Sequence, residues 1–183
     1  MLYSHSIDKQ LLETMITNQG ESIYKVSQRQ PVLLIFLRHF GCTFCREALA
    51  DISRQRESIE KAGTKIVFVH MTEDETAERY FHRYELYHPI HVSDPICNFY
   101  QSFGLVKGNF TQLFGLKSWL RGFNAGIVDG HGIGSVALGD GFQMPGVFLI
   151  DKGEIRNSFV HKEASDRPNY NEMIKCCQVV KAA

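Results

Sequence analysis

Residues 31–49 have the sequence PVLLIFLRHFGCTFCREAL, and this stretch decides the fold. Residues 31–38 form a nearly continuous apolar run, which is typical of a strand buried on both faces of a sheet. A helical pattern begins near Cys42 or Thr43, and its apolar positions recur at helical spacing as far as Ile59. The stretch therefore predicts a buried strand that leads directly into an amphipathic helix.

The segments on either side continue this alternation of strands and helices. A helix between two strands predicts that the strands are parallel and joined by a right-handed crossover. Lys152 and Gly153 form a two-residue turn, which predicts an antiparallel hairpin at one edge. We therefore expect an α/β fold with a mixed central sheet and helices on both faces. The other expected elements are a helix over 7–19, a short edge strand over 22–26, strands over 65–70, 91–93, 146–151 and 154–160, and helices over 73–84, 95–103 and from about 169.

The charge balance excludes some classes of protein. The chain has 183 residues, with 20 Lys and Arg against 20 Asp and Glu, and its pI is near 7.1. A neutral chain lacks the basic surface expected of a protein that binds nucleic acid or anionic membranes. No apolar run reaches the roughly 20 residues of a membrane-spanning helix, and charged residues interrupt the amino-terminal segment where a signal peptide would be apolar. We therefore expect a cytoplasmic protein.

Cys42 and Cys45 have the spacing that indicates chemistry. The chain has five cysteines, and an odd number without an export signal argues against structural disulfides. A C-x-x-C motif at the start of a helix puts its first sulfur beside unpaired N–H groups and the positive end of the helix dipole, which stabilise a thiolate. The second sulfur follows one turn later, and Arg38 and Arg46 supply positive charge nearby. The motif predicts a pair that cycles between two thiols and one disulfide.

Other interpretations of the motif remain open. The two cysteines also fit inert packing residues or half of a zinc site, although structural zinc takes four ligands and no second pair has a suitable spacing. His82, His88 and His91 are irregularly spaced, so the sequence predicts solvated or locally bonded histidines rather than a metal site.

A proline before the third buried strand completes a wider pattern. Pro145 has no N–H to donate, so it is either an ordinary strand-start residue or follows a cis peptide bond. The whole order of strand, C-x-x-C helix, strand, proline-preceded strand, hairpin and closing helix resembles the thioredoxin superfamily. A closer resemblance is to the peroxiredoxin-like branch of the alkyl hydroperoxide reductase and thiol-specific antioxidant proteins. It is carried by LRHFGCTFCREAL (37–49), SDPICNFYQSFGL (93–105), GDGFQMPGVFLIDKGEI (139–155) and HKEASDRPNY (161–170).

The resemblance implies how the chain is organised. It implies one thioredoxin-like domain over residues 1–183, with an amino-terminal helical extension over about 1–20. It also implies an inserted helix and loop over about 106–142, before a strand that starts with a cis-proline. Trp119 lies in this insertion, which is expected either to pack into the core or to form a lid or a subunit interface.

The resemblance also implies an activity. Cys42 and Cys45 are expected to form a redox centre, supported by Arg38, Arg46 and Pro145, that reduces disulfides or peroxides. Electrons would come from a thiol donor of the thioredoxin or glutathione type, without metal, flavin or nucleotide, and a homodimer is also considered.

Two questions about this activity stay open. In disulfide exchange Cys42 would attack first, whereas alignment with peroxiredoxins puts Cys45 at the attacking position. The rival from another class is a binding or scaffold protein that keeps the fold without catalysis.

Overall fold

The computed structural model describes residues 7–109 and 138–177. None of the helices in this part of the chain is both long and apolar enough to cross a membrane. The elements, in chain order, are α1 (Lys9–Thr14), α2 (Ile23–Arg29), β1 (Val32–Phe36), α3 (Thr43–Lys61), β2 (Lys65–His70), α4 (Asp74–Arg83), β3 (Ile90–Ser93), α5 (Asn98–Ser102), β4 (Gly146–Asp151), β5 (Glu154–Val160) and α6 (Tyr170–Ile174), followed by a 3-10 turn over Lys175–Cys177.

The strands form one mixed sheet in the order β3-β2-β1-β4-β5. β1 runs parallel to β2, and β2 runs parallel to β3. β4 runs antiparallel to β1, and β5 returns antiparallel to β4. This topology confirms the predicted parallel centre and antiparallel edge hairpin. β1 lies in the middle of the sheet, and all of its residues are buried.

Helices cover both faces of the sheet, as predicted. Leu33 and Ile35 of β1 point to one face, where they pack with apolar residues of α3, α4 and α6. The alternate residues Val32, Leu34 and Phe36 point to the other face, where they pack with residues of α1, α2 and α5. Two apolar cores therefore hold β1 in place, so the segment that follows it starts from a fixed position.

The predicted edge strand over 22–26 is wrong, because these residues begin a helix. The Ser22 side chain caps α2 by accepting a hydrogen bond from the Lys25 N–H at 3.3 Å. Ile23 and Val26 are one helical turn apart, and both are buried against the sheet. The apolar spacing that resembled a strand is therefore helical. The helix before it is also shorter than expected, since α1 ends at Thr14.

The helix expected over 95–103 is shorter and begins at Asn98. Cys97 is the N-cap residue of α5, and the Asp94 carboxylate accepts hydrogen bonds from the N–H groups of Asn98, Phe99 and Tyr100, the nearest at 2.8 Å. The buried Tyr100 hydroxyl lies 2.6 Å from the Leu37 carbonyl and 3.0 Å from that of Val69. α5 thus joins the ends of β1 and β2.

The expectation of a cis-proline strand is wrong. The described residues contain no cis peptide bond, so Pro145 follows a trans bond and is an ordinary strand-start residue. The trans form of an X–Pro bond is favoured by about 0.5–1 kcal/mol. At the start of a strand, Pro145 does not have to donate a backbone hydrogen bond to the neighbouring strand. Its carbonyl accepts a hydrogen bond from the His161 N–H at 3.4 Å.

The two ends of the predicted insertion lie side by side. Lys107 pairs with Gln143 in an antiparallel bridge, and the Gly108 N–H donates to the Phe142 carbonyl at 2.7 Å. Residues 110–137, including Trp119, lie outside the described residues, so the lid or interface expected there stays a prediction.

Candidate functional site

The candidate site lies where β1 gives way to α3. The Cys42 N–H donates to the His39 carbonyl at 3.0 Å, and the Arg46 N–H donates to the Cys42 carbonyl at 3.1 Å. Cys42 is therefore the N-cap of α3, with an extended backbone at φ −80° and ψ 131°. Its side chain makes no capping hydrogen bond. The sulfur thus stands at the positive end of a 19-residue helix, without a hydrogen bond to any of the free N–H groups there.

Arg38 provides a cationic donor for the Cys42 sulfur. One guanidinium nitrogen, Nη1, lies 2.9 Å from Cys42 Sγ and donates to it. Nη2 donates to the Gly141 carbonyl. Arg38 is only 6% exposed, so the charge acts in surroundings that screen it poorly. A buried cationic donor stabilises negative charge on the atom that accepts its hydrogen bond.

Cys45 follows one turn later and differs from Cys42 in its surroundings. Cys42 is partly exposed, whereas Cys45 is buried in the core below α3. Burial, and then the nearby Cys42, raise the pKa of the Cys45 thiol, which Arg38 and Arg46 only partly oppose. Both cysteines are free thiols in this structure. The Cys42 sulfur is therefore partly accessible and lies beside a cation, whereas the Cys45 thiol is buried and stays protonated.

A loop before β4 packs against this segment. The Leu138 carbonyl accepts from the Phe40 N–H at 3.2 Å. Gly139 has a φ of +99°, and a Cβ at this position would lie 2.9 Å from Cβ of Met71. Only glycine fits this backbone without displacing Met71. The loop thereby brings the Gly141 carbonyl to Arg38.

His39 lies between Arg38 and this loop. Burial and the adjacent Arg38 charge lower the pKa of His39 to about 4, although Asp140 opposes them. The imidazole is therefore neutral at pH 7. It contributes packing to the loop and no positive charge to the site.

A narrow pocket opens beside Cys45. Its walls include Arg38, Cys45, Pro145, His161 and Arg167. The cavity volume is about 30 Å³, which is room for one or two molecules the size of water. The Nδ1 atom of His161 is buried and has no hydrogen-bond partner among the described residues. The pocket thus lies among a buried cysteine, two arginines and a histidine, and it has room only for a very small molecule. The Arg167 guanidinium is held by Glu47 and Asp51.

These features are those of a thiol site. A thiolate is the form of cysteine that attacks disulfides and peroxides, and a neighbouring cation and a helix N-terminus favour it. A model of the AhpC/TSA family matches residues 9–158 of this chain. The chain belongs to the AhpC/TSA family.

Two relatives resemble this AhpC/TSA chain at similar levels. "Thioredoxin-like protein AAED1, chloroplastic" of Arabidopsis thaliana is 24% identical over 153 residues, which are 79% of this chain and 61% of that protein. "Prostamide/prostaglandin F synthase" of Danio rerio is 25% identical over 174 residues, which are 93% of this chain and 85% of that protein. The chain therefore spans less than two-thirds of the Arabidopsis relative.

A solved structure shares the fold. A cysteine-to-serine mutant of PrxQ from Xylella fastidiosa superposes with a TM-score of 0.64 at 11% identity, covering 95% of this chain and 92% of that one. This AhpC/TSA chain therefore has the thioredoxin-like fold of peroxiredoxins, which confirms the predicted fold class.

The structure brings most of the predicted site residues together, with different contacts. Arg38 touches the Cys42 sulfur directly. Arg46 acts on the site only through its charge, and its buried Nε atom has no partner among the described residues. Pro145 lines the pocket beside Cys45. Trp119 is outside the described residues.

Sequence reasoning missed the groups that come from far along the chain. The Gly141 carbonyl and the His161 ring reach the site from the two ends of the β4–β5 region. Neither belongs to a motif near Cys42, so no local spacing points to them. The available signals were the resemblance over residues 139–155, which contains Gly141, and that over residues 161–170, which contains His161. Arg167 in the second segment also lines the pocket.

Proposed function

We propose that this protein is a dithiol oxidoreductase whose Cys42 and Cys45 cycle between two thiols and one disulfide. The observation that carries the proposal is the hydrogen bond from Arg38 Nη1 to Cys42 Sγ at 2.9 Å. It joins a buried cation to a sulfur at a helix N-terminus, and the second thiol follows one turn later. Membership of the AhpC/TSA family supports thiol chemistry at this position.

Cys42 is the attacking thiol in this proposal. It is partly exposed and accepts the hydrogen bond from Arg38. Cys45 is 3% exposed, and burial raises the pKa of its thiol. A protonated, buried thiol is a poor first nucleophile, but it is well placed to attack a neighbouring oxidised sulfur. Cys45 is therefore the resolving cysteine.

The substrate class that the family supports is peroxides. The Cys42 thiolate attacks one peroxide oxygen, the O–O bond breaks, and the other oxygen leaves as an alcohol or water after taking up a proton. Cys42 becomes a sulfenic acid. The Cys45 thiol then attacks the Cys42 sulfur, a disulfide forms, and water leaves. Two thiols of a donor of the thioredoxin or glutathione type restore the dithiol and are themselves oxidised to a disulfide.

The reverse order is a second candidate because of one observation. Cys45, and not Cys42, lines the pocket that has room for a molecule as small as hydrogen peroxide. In that order the sulfenic acid forms on Cys45, and Cys42 resolves it. Peroxide would then have to reach a thiol that is nearly fully buried, which is why we favour Cys42 as the attacking residue.

Variants that each lack one of the two cysteines distinguish the two orders of attack. Cys42→Ser and Cys45→Ser are each treated with one equivalent of hydrogen peroxide in the presence of dimedone, a reagent that traps sulfenic acids. Mass spectrometry then locates the dimedone adduct. We expect a trapped sulfenic acid on Cys42 in Cys45→Ser and none on Cys45 in Cys42→Ser. Trapping on Cys45 alone would establish the reverse order. Trapping in neither variant would remove peroxides as substrates and leave disulfide exchange or a non-catalytic role.

A further inference from the structure

A second group of chemically active side chains lies near the carboxyl ends of β2 and β3, the same end of the parallel strands as Cys42. His70 ends β2, His91 lies on the neighbouring β3, and both point to the face that α4 covers. Both histidines are fully buried. Asp74, the first residue of α4, lies above them and is 56% exposed. Two buried imidazoles and one carboxylate that reaches solvent thus converge on one point.

The distances between their ligand atoms suit a metal ion. His70 Nε2 and His91 Nδ1 are 2.9 Å apart. Asp74 Oδ1 lies 3.7 Å from His70 Nε2 and 3.5 Å from His91 Nδ1. Ligand atoms around tetrahedral Zn²⁺, with bonds of about 2.0–2.1 Å, are roughly 3.3 Å apart. One of the three separations is shorter than this value and two are longer. Small side-chain movements therefore bring all three atoms to bonding distance from one Zn²⁺ ion.

We propose that His70, His91 and Asp74 form a binding site for a divalent transition-metal ion, with Zn²⁺ as the probe. Two imidazole nitrogens and one carboxylate oxygen are a donor set that first-row divalent ions accept. Three protein ligands leave a fourth position for water or another ligand, and Asp74 is the ligand that reaches solvent. The site is separate from Cys42 and Cys45, and the proposal does not depend on their redox activity.

The surroundings of the two rings favour metal binding. A histidine that binds a metal through one nitrogen usually donates its other N–H to an oxygen, which fixes the ring. Thr72 Oγ1 lies 3.3 Å from His70 Nδ1, and this nitrogen also accepts a hydrogen bond from the Thr72 N–H at 3.4 Å. A metal on His70 Nε2 puts the ring proton on Nδ1, so the contact with the Thr72 N–H is lost and Oγ1 becomes its acceptor. Glu78 Oε1 lies 3.7 Å from His91 Nε2, and the exposed Glu78 side chain is able to close that gap. Each ring therefore has an oxygen on the side away from the proposed ion.

The alternative to a metal site is a plain hydrogen bond from His70 Nε2–H to His91 Nδ1, which are 2.9 Å apart. In both arrangements His91 carries its proton on Nε2, a buried atom with no hydrogen-bond partner among the described residues and with Glu78 Oε1 3.7 Å away. Binding of a metal ion therefore distinguishes the two arrangements.

The site is tested with purified full-length protein, freed of metal by dialysis against a chelator and titrated with Zn²⁺ by calorimetry. Asp74→Asn removes one ligand at an exposed position, so the variant is expected to fold. Glu75→Gln is the matched control, because Glu75 is an exposed carboxylate in the same first turn of α4. Glu78→Gln tests the outer partner of His91. Far-UV circular dichroism checks the fold of each variant.

We expect wild type and Glu75→Gln to bind one equivalent of Zn²⁺ with similar affinity. Asp74→Asn should bind it more than 100-fold more weakly, because loss of an outer partner alone lowers metal affinity by about 10–100-fold. Glu78→Gln should fall in that 10–100-fold range. Cobalt distinguishes this site from the cysteines, since Co²⁺ bound to nitrogen and oxygen lacks the thiolate charge-transfer band. Equal affinity in wild type and Asp74→Asn, a thiolate band for the bound Co²⁺, or no Zn²⁺ binding by wild type would each overturn the proposal.

Discussion

The two terminal nitrogens of Arg38 donate hydrogen bonds, one to Cys42 Sγ and the other to the Gly141 carbonyl. Burying a charge is costly unless hydrogen bonds compensate for it, and here Cys42 Sγ and the Gly141 carbonyl supply them. Its Nε atom has no partner among the described residues. Since the sulfur is one of the two acceptors, a thiolate at Cys42 also stabilises the buried guanidinium. Arg38 and Cys42 therefore act as a coupled pair.

Replacing Arg38 tests that pair. Hydrogen bonds to charged groups contribute about 1.5–3 kcal/mol, and about 1.4 kcal/mol corresponds to a factor of ten. Arg38→Met should therefore slow the alkylation of Cys42 by iodoacetamide at pH 7 by roughly 10–100-fold. The matched control is Arg46→Met, which removes a nearby charge that does not touch the sulfur, and a change of no more than about threefold is expected there. Equal rates for wild type and Arg38→Met would contradict the coupling.

At the scale of single residues, sequence reasoning succeeded where the contact is local. Arg38, Cys42 and Cys45 lie within one strand-to-helix junction, so their closeness in the sequence predicts that Arg38 lies near Cys42, as it does. The Gly141 carbonyl is about a hundred residues away along the chain and is a backbone group. The residue type does not indicate a hydrogen-bond acceptor of this kind, because every residue has a backbone carbonyl.

The loop before β4 is the element that completes the site. It carries the Gly141 carbonyl to Arg38 and the Leu138 carbonyl to Phe40. Gly139 lets it make both contacts, because the backbone there adopts a left-handed φ of +99° beside Met71. The loop leads directly into β4, the strand next to β1.

Two alanine variants test the role of this loop. Gly139→Ala forces a Cβ to within 2.9 Å of Met71 at a positive φ, so we expect the free energy of unfolding to fall by about 1–3 kcal/mol. Gly141→Ala adds the same methyl group where the nearest atom is 3.6 Å away, and a change below about 0.5 kcal/mol is expected. Urea denaturation followed by circular dichroism measures both. The account of the loop is wrong if the two variants are equally stable.

At the scale of elements, the sequence predicted strands better than short helices. β1, β2 and β4 are buried on both faces, and continuous apolar runs such as 32–36 are recognisable without further context. α2 was missed because Ile23 and Val26 fit a strand and a helix equally well over so short a stretch. The Ser22 cap decides between them in the folded protein.

For the whole molecule, buried neutral histidines link stability to pH. His39 has a pKa of about 4 because of burial and Arg38, whereas a histidine in the unfolded chain titrates near 6.5. The unfolded state therefore binds an extra proton between these values. Stability from the neutral ring is complete above about pH 6.5 and is lost progressively as the pH falls towards 4.

The variant His39→Gln isolates this effect from other titrating groups. Between pH 7 and pH 5 the wild type should lose about 2 kcal/mol more free energy of unfolding than His39→Gln, since each pKa unit corresponds to about 1.4 kcal/mol. Urea denaturation of both proteins at the two pH values gives the difference. If wild type and variant lose the same free energy, His39 is not held neutral in the folded state.

The overall architecture was predictable, and the cluster of His70, His91 and Asp74 was not. Alternating strands and helices fix the parallel centre, and a two-residue turn fixes the edge hairpin. The cluster arises because adjacent parallel strands align His70 with Ser93 and Phe68 with His91, which brings the two histidines near each other. That register is a tertiary property. The irregular spacing of His82, His88 and His91 predicted solvated or locally bonded histidines, and it gave no sign that His91 lies beside His70.

The central claim is that Cys42 and Cys45 exchange two electrons by making and breaking a bond with each other. It is tested most directly by a redox titration of the full-length protein, with alkylation and mass spectrometry to locate the bond. We predict a single disulfide between Cys42 and Cys45, with a midpoint potential in the range of roughly −270 to −120 mV that dithiol oxidoreductases span. The claim is contradicted if both sulfurs stay open to alkylation across that range, or if they resist it only until a chelator removes zinc.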